Sequence, residues 1–127
     1  MYIGEQTGLA PKDTLGRAIV NQILLTVADM VSEVHDTHHP ISVALCYEEQ
    51  TEPALLRAKS FCGVRMPKFL GHLEEVLRLR GGIHMAGSYG FTVADISVMH
   101  LLDGLSYAFP KAFAVATAST AKALGNA

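Results

Sequence analysis

Cysteine is scarce in this chain: Cys46 and Cys62 are the only two among 127 residues. Their spacing matches no metal-ligand pattern, and a chain that is 50% hydrophobic does not need a disulfide to hold its core. An excess of one charge is also missing. Ten Lys and Arg stand against twelve Asp and Glu, a formal charge of −2, with no basic run and no helix bearing a basic face. Nucleic-acid binding therefore has no electrostatic support. Acidic or polar residues interrupt every apolar run before it reaches about 18 residues, and Met1-Tyr2-Ile3-Gly4 lacks the charged region and long apolar core of a signal peptide. These absences predict a soluble, intracellular protein with no membrane partner. The serines at 32, 42, 60, 88, 97, 106 and 119 lack a glycine-framed elbow, and no glycine-rich phosphate loop follows a strand. From its residues alone, the chain offers no self-contained active site.

What is present is a set of helical signals. Thr92-Val93-Ala94-Asp95 reads as a capping box, in which Thr92 accepts a hydrogen bond from the Asp95 amide while the Asp95 carboxylate reaches back to the Thr92 amide. That carboxylate also faces the positive end of the helix dipole. Phe91 and Ile96 flank the box at staple positions. Beyond it Ala94, Val98, Leu101, Leu105 and Ala108 form one stripe, and Ile96, Met99 and Leu102 widen the apolar surface past a single face. Such a helix is expected at the centre of its domain. Thr92 and Asp95 are assigned structural roles.

A first long helix is predicted from Asp13 or Thr14 to His35, with Ile19, Ile23, Val27, Met30 and Val34 at helical spacing. Pro40 then opens a short segment through Ile41, Val43, Ala44 and Leu45. Thr51 is the expected N-cap of a second long helix, whose inner face reads Leu55, Cys62, Met66, Phe69, Leu73 and Val76 or Leu77, ending at Gly81. Pro67 falls in its middle, where its ring meets the carbonyl of Gly63, so a bend rather than a break is expected there. No strand is convincing and no internal repeat appears. The expected architecture is all-α, a bundle around one buried helix, with residues 1–12 as the end of an earlier element and a linker, 13–113 as the helical domain, and 114–127 as an Ala-rich tail, helical or disordered.

His35, His38 and His39 form the most unusual polar cluster. Imidazoles one turn apart can share a zinc ion, but Pro40 ends the helix there and no second pair supplies the remaining ligands, so no metal is assigned. A helix C-terminal cap and the lining of a ligand pocket are the readings that remain.

Several of these segments together resemble the C-terminal domain of cytosolic glutathione S-transferases, of the sigma-like protozoal, fungal and bacterial type. They are His35-Asp36-Thr37-His38-His39-Pro40-Ile41, Pro67-Lys68-Phe69-Leu70, Phe91 to Ser97, and Leu102 to Lys111. The resemblance spans roughly residues 1–111, with Met1 to Glu5 similar to the closing helix of the thioredoxin-like domain that precedes such domains. The Ala-rich end departs from it, where further amphipathic helices are expected.

The resemblance implies a helical domain that forms one wall of an electrophile pocket and half of a dimer interface. A separate thioredoxin-like domain, missing from the segments seen here, would hold the co-substrate glutathione and promote its thiolate. Asp29 matches an acid that approaches the glutamyl end of glutathione across the dimer, and His35 and His39 match pocket-facing positions. The implied protein is a truncated, cytoplasmic glutathione transferase-like chain, a homo-oligomer inactive alone, with no catalytic residue and no cofactor of its own. The competing expectations are a non-catalytic helical protein-interaction domain and weak apolar ligand binding.

Overall fold

The computed structural model describes the backbone of residues 1–125 and the side chains of residues 1–119. The described residues form six α-helices and no strand: α1 (Tyr2–Gln6), α2 (Thr14–His35), α3 (Thr51–Ser60), α4 (Met66–Leu79), α5 (Val93–Ala108) and α6 (Pro110–Gly125). Helix α2 packs on α5, and α4 and α5 both pack on α6.

Asp13 caps α2, its carboxylate accepting from the Gly16 amide at 2.9 Å. From Gly16 the inward face runs through Val20, Ile23, Val27 and Met30, while Ile19 and Val34 border it half-buried. By length and composition α2 passes for a membrane-crossing helix, yet this stripe is buried against α5. Gly16 is needed for close approach: a Cβ there would stand 2.5 Å from Pro11 Cβ and 2.7 Å from Tyr89 Cε1. Gly16→Ala is expected to destabilise the domain by about 1–3 kcal/mol through overpacking. Urea unfolding reads this directly, and an unchanged midpoint would mean that Pro11 and Tyr89 yield freely.

Residues 1–12 are tied into the body. The Val93 amide donates to the Leu9 carbonyl at 2.9 Å, Arg17 pairs with Glu5 at 3.1 Å, and Gly4 is buried beside Val93. Pro40 opens no helix. The chain from Asp36 to Cys46 is a run of turns in which Ile41 and Val43 are exposed, followed by a short 3₁₀ turn, Tyr47–Glu49. Thr51 is the first residue of α3 rather than its cap, since Gln50 holds that place and the Thr51 hydroxyl donates back to the Tyr47 carbonyl at 3.1 Å.

Helices α3 and α4 form one continuous rod through a π-helical turn, Phe61–Arg65, in which the Met66 amide donates to the Phe61 carbonyl. This wider turn shifts the inner face. Its buried residues are Ala54, Phe61, Met66, Leu70 and Leu73, so that the step from Phe61 to Met66 is five residues instead of four. Leu55, expected inside, is 60% exposed, and Cys62 and Phe69 are only half-buried. The physical reason lies at Pro67, in the first turn of α4: it donates no hydrogen bond and crowds the carbonyl four residues back, which an extra residue in the preceding turn relieves.

The α5 stripe is buried at Ala94, Val98, Leu101 and Leu105, whereas Ala108 is exposed. The opposite side, with Met99 63% exposed and Ile96 also outward, is uncovered among the described residues, so α5 is central on one face only. Helix α6 starts at Pro110, a residue suited to a first helical turn, and buries Ala116. The segment set apart at 114 is thus the continuation of a helix as far as Gly125, and the last two positions of that segment, 126 and 127, lie outside the described residues.

Candidate functional site

The carboxyl end of α2 carries the histidine cluster. His35 is exposed, and its ring stacks on that of His39 with centroids 5.1 Å apart and planes at 28°. His38 turns the other way, 5.8 Å from Tyr47 and 6.5 Å from Phe109 between ring centroids. The Thr37 hydroxyl donates to the Val34 carbonyl at 2.7 Å and lies 3.0 Å from His38 Nδ1. The rings present faces to one another, and among the described residues no group of three His, Cys, Asp or Glu is placed to hold a metal ion.

Gln50, buried to 1% exposure, organises the loop that carries His39. Its Oε1 accepts from the Ile41 amide at 3.0 Å and the Ser42 amide at 3.4 Å, and its Nε2 donates to the Ser42 and Leu45 carbonyls, both at 3.0 Å. His39 Nδ1 stands 3.3 Å from the same amide nitrogen. No local pattern marks a glutamine for such a role. It satisfies backbone groups from a loop without regular structure, which periodicity does not describe.

Asp29 is exposed on α2. At about 100° per residue, six positions leave Asp29 and His35 roughly 120° apart around the helix and about 9 Å apart along it. They do not share a face. Asp29 falls instead on the side of Thr26 and Glu33, which looks toward α4. There Glu33 binds Arg65 through both carboxylate oxygens, at 2.6 to 3.0 Å, and the guanidinium lies 5.0 Å over the Phe69 ring. A cleft of about 200 Å³ between the helices is lined by Thr26, Arg65, Lys68, Phe69 and His72. Neither Glu33 nor Arg65 carries a sequence signal of this contact.

The hydrogen bonds from Arg65 hold the Glu33 carboxyl below the ordinary glutamate range. A depressed carboxyl stabilises the fold when it is ionised in both states, and that stabilisation is lost as pH falls through the folded value. Wild-type protein is therefore expected to lose stability on acidification below the ordinary carboxylate range more steeply than Glu33→Gln. Thermal midpoints across acid pH test this, and parallel curves would contradict it.

The family model described as Glutathione S-transferase, C-terminal domain, matches residues 35–124. No curated protein matches the chain. The chain belongs to the glutathione S-transferase C-terminal domain family, and its all-helical architecture agrees with that membership. The match begins at His35, includes His39, Pro67, Thr92 and Asp95, and leaves Asp29 outside. It also runs to residue 124, through the Ala-rich end for which the sequence predicts a departure from the family.

Proposed function

We propose that this domain serves as the helical, subunit-contacting part of a glutathione transferase, and that its own residues do not activate the thiol. His35 and His39 form one wall of the electrophile pocket. Asp29 is available to the ammonium group of glutathione held in a partner subunit. The observation that carries this reading is the chemistry of the expected site residues: a carboxylate that attracts a cation and repels a thiolate, and two imidazoles stacked on each other, of which His35 sits about 120° around α2 from the acid. A thiolate needs donors converging on one atom. The two unpaired cysteines, Cys46 exposed and Cys62 half-buried, suit a cytoplasmic setting.

Calorimetric titration with glutathione is the test. Heat of dilution alone is expected, and saturable binding that survives Asp29→Ala, which would mean that other residues of this chain hold glutathione, would contradict the proposal.

The same reading includes pairing of two copies through α2, where Leu25 leaves an apolar patch exposed on each copy. A two-fold contact would cover both patches at once. Sedimentation at micromolar concentrations is expected to show a dimer that Leu25→Glu shifts toward monomer. A monomeric wild-type protein would contradict the pairing.

A further inference from the structure

A second cavity, of about 220 Å³, opens between α4, α5 and α6, away from Asp29 and the histidine cluster. Its walls are apolar: Leu70, Leu73, Leu77, Met85, Val98, Leu102 and Phe113. An apolar cavity of about 150 Å³ is large enough to hold benzene, so this one admits an aromatic ring with a short alkyl chain.

Two polar residues complete the lining, Glu74 and Thr117, and both are exposed at the mouth. The Thr117 hydroxyl already donates to the carbonyls of Phe113 and Ala114, at 2.9 and 3.1 Å, which leaves only its lone pairs for a visitor. Glu74 is an acceptor when ionised, and it has no ion-pair partner among the described residues, the neighbouring Glu75 having taken Arg78 at 2.7 Å. No Lys, Arg or His lines the cavity among the described residues. Apolar walls with acceptors at the rim and no cation select a small hydrophobic body carrying a cationic donor.

We infer that this cavity is a binding site for a small apolar ammonium compound, its aryl or alkyl body among the core side chains and its –NH₃⁺ on the Glu74 carboxylate. The site lies on other residues than those of the conjugation reading, so either stands if the other fails.

Calorimetry with 2-phenylethylammonium and its neutral counterpart 2-phenylethanol tests the assignment at neutral pH. Saturable binding of both is expected, the ammonium about tenfold tighter, with that preference shrinking as salt is raised. Glu74→Gln is expected to bring the ammonium to the level of the alcohol and leave the alcohol unchanged. Thr117→Phe, a change at an exposed mouth position, is expected to abolish both, with circular dichroism confirming the fold. Absence of saturable binding by the wild type overturns the site. Binding that survives Thr117→Phe places it elsewhere, and equal affinity for the two probes, unaltered by Glu74→Gln, overturns the ammonium class.

Discussion

Asp95→Ala is expected to cost about 3–5 kcal/mol, well above the roughly 0.5–2 kcal/mol of a surface helix cap. Asp95 is 7% exposed and its carboxylate joins two parts of the chain. One oxygen accepts from the Thr92 amide at 2.8 Å and the Thr92 hydroxyl at 3.0 Å, and the other from the Met85 amide at 2.8 Å. Removing it leaves two buried backbone donors without an acceptor, each worth about 1–3 kcal/mol. It also frees the loop before α5, which carries the buried Met85 and Ala86 into the core. Asp95→Asn retains one good acceptor and should fall between wild type and Ala. Urea unfolding followed by circular dichroism measures both, and a loss under about 1 kcal/mol for Ala would show that water replaces the carboxylate.

The second large effect is at the π turn. Phe61 is 1% exposed and its ring lies 5.5 Å from that of Phe109, tilted by 45°. Phe61→Ala removes the ring from a closed interior and is expected to cost about 3–5 kcal/mol. Leu55→Ala, on the same rod but 60% exposed, should change stability by less than about 0.5 kcal/mol. A strict 3.6-residue reading, which puts Leu55 inside, predicts a substantial loss at Leu55 as well. The pair of unfolding midpoints decides between the two registers.

That pair shows what the residues reveal and what they hide. The α2 stripe and the start of α5 are legible because each is announced locally, by a side chain that can cap and by apolar spacing that repeats without interruption. At α5 both halves of the expected capping box form, and the Thr92 hydroxyl accepts from the Ala94 amide at 3.3 Å as well. Across Phe61–Arg65 the same residue types suit an α or a π turn, so Pro67 signals a disturbance without saying that one extra residue absorbs it. The buried role of Gln50 depends on which backbone groups the 36–50 loop leaves unpaired, a tertiary outcome. In α6, Ala-rich sequence gives helix propensity but no stripe from which to read a packing face.

For the site, the residues by themselves reach a helical domain without an evident active centre. Asp29 enters through resemblance alone, His35 and His39 through their clustering as well, and the fold sets the acid on a different side of α2 from the histidine at its end. Glu33 with Arg65, and Glu74 beside its cavity, become visible only when helices distant in sequence are placed together.

The central claim is that this chain's own residues do not perform thiol activation. Catalysis requires the thiol to be held beside the electrophile, a proximity contribution of roughly 7–11 kcal/mol, and its anion to be stabilised where it forms, worth a few kcal/mol more. The most direct measurement is glutathione conjugation to a chromogenic electrophile by the purified 127-residue chain. The expected result is a rate equal to that without protein, unchanged by Asp29→Ala. Turnover above that background, saturating in glutathione and lost in Asp29→Ala, would contradict the account and mean that two such chains build a thiolate site between them.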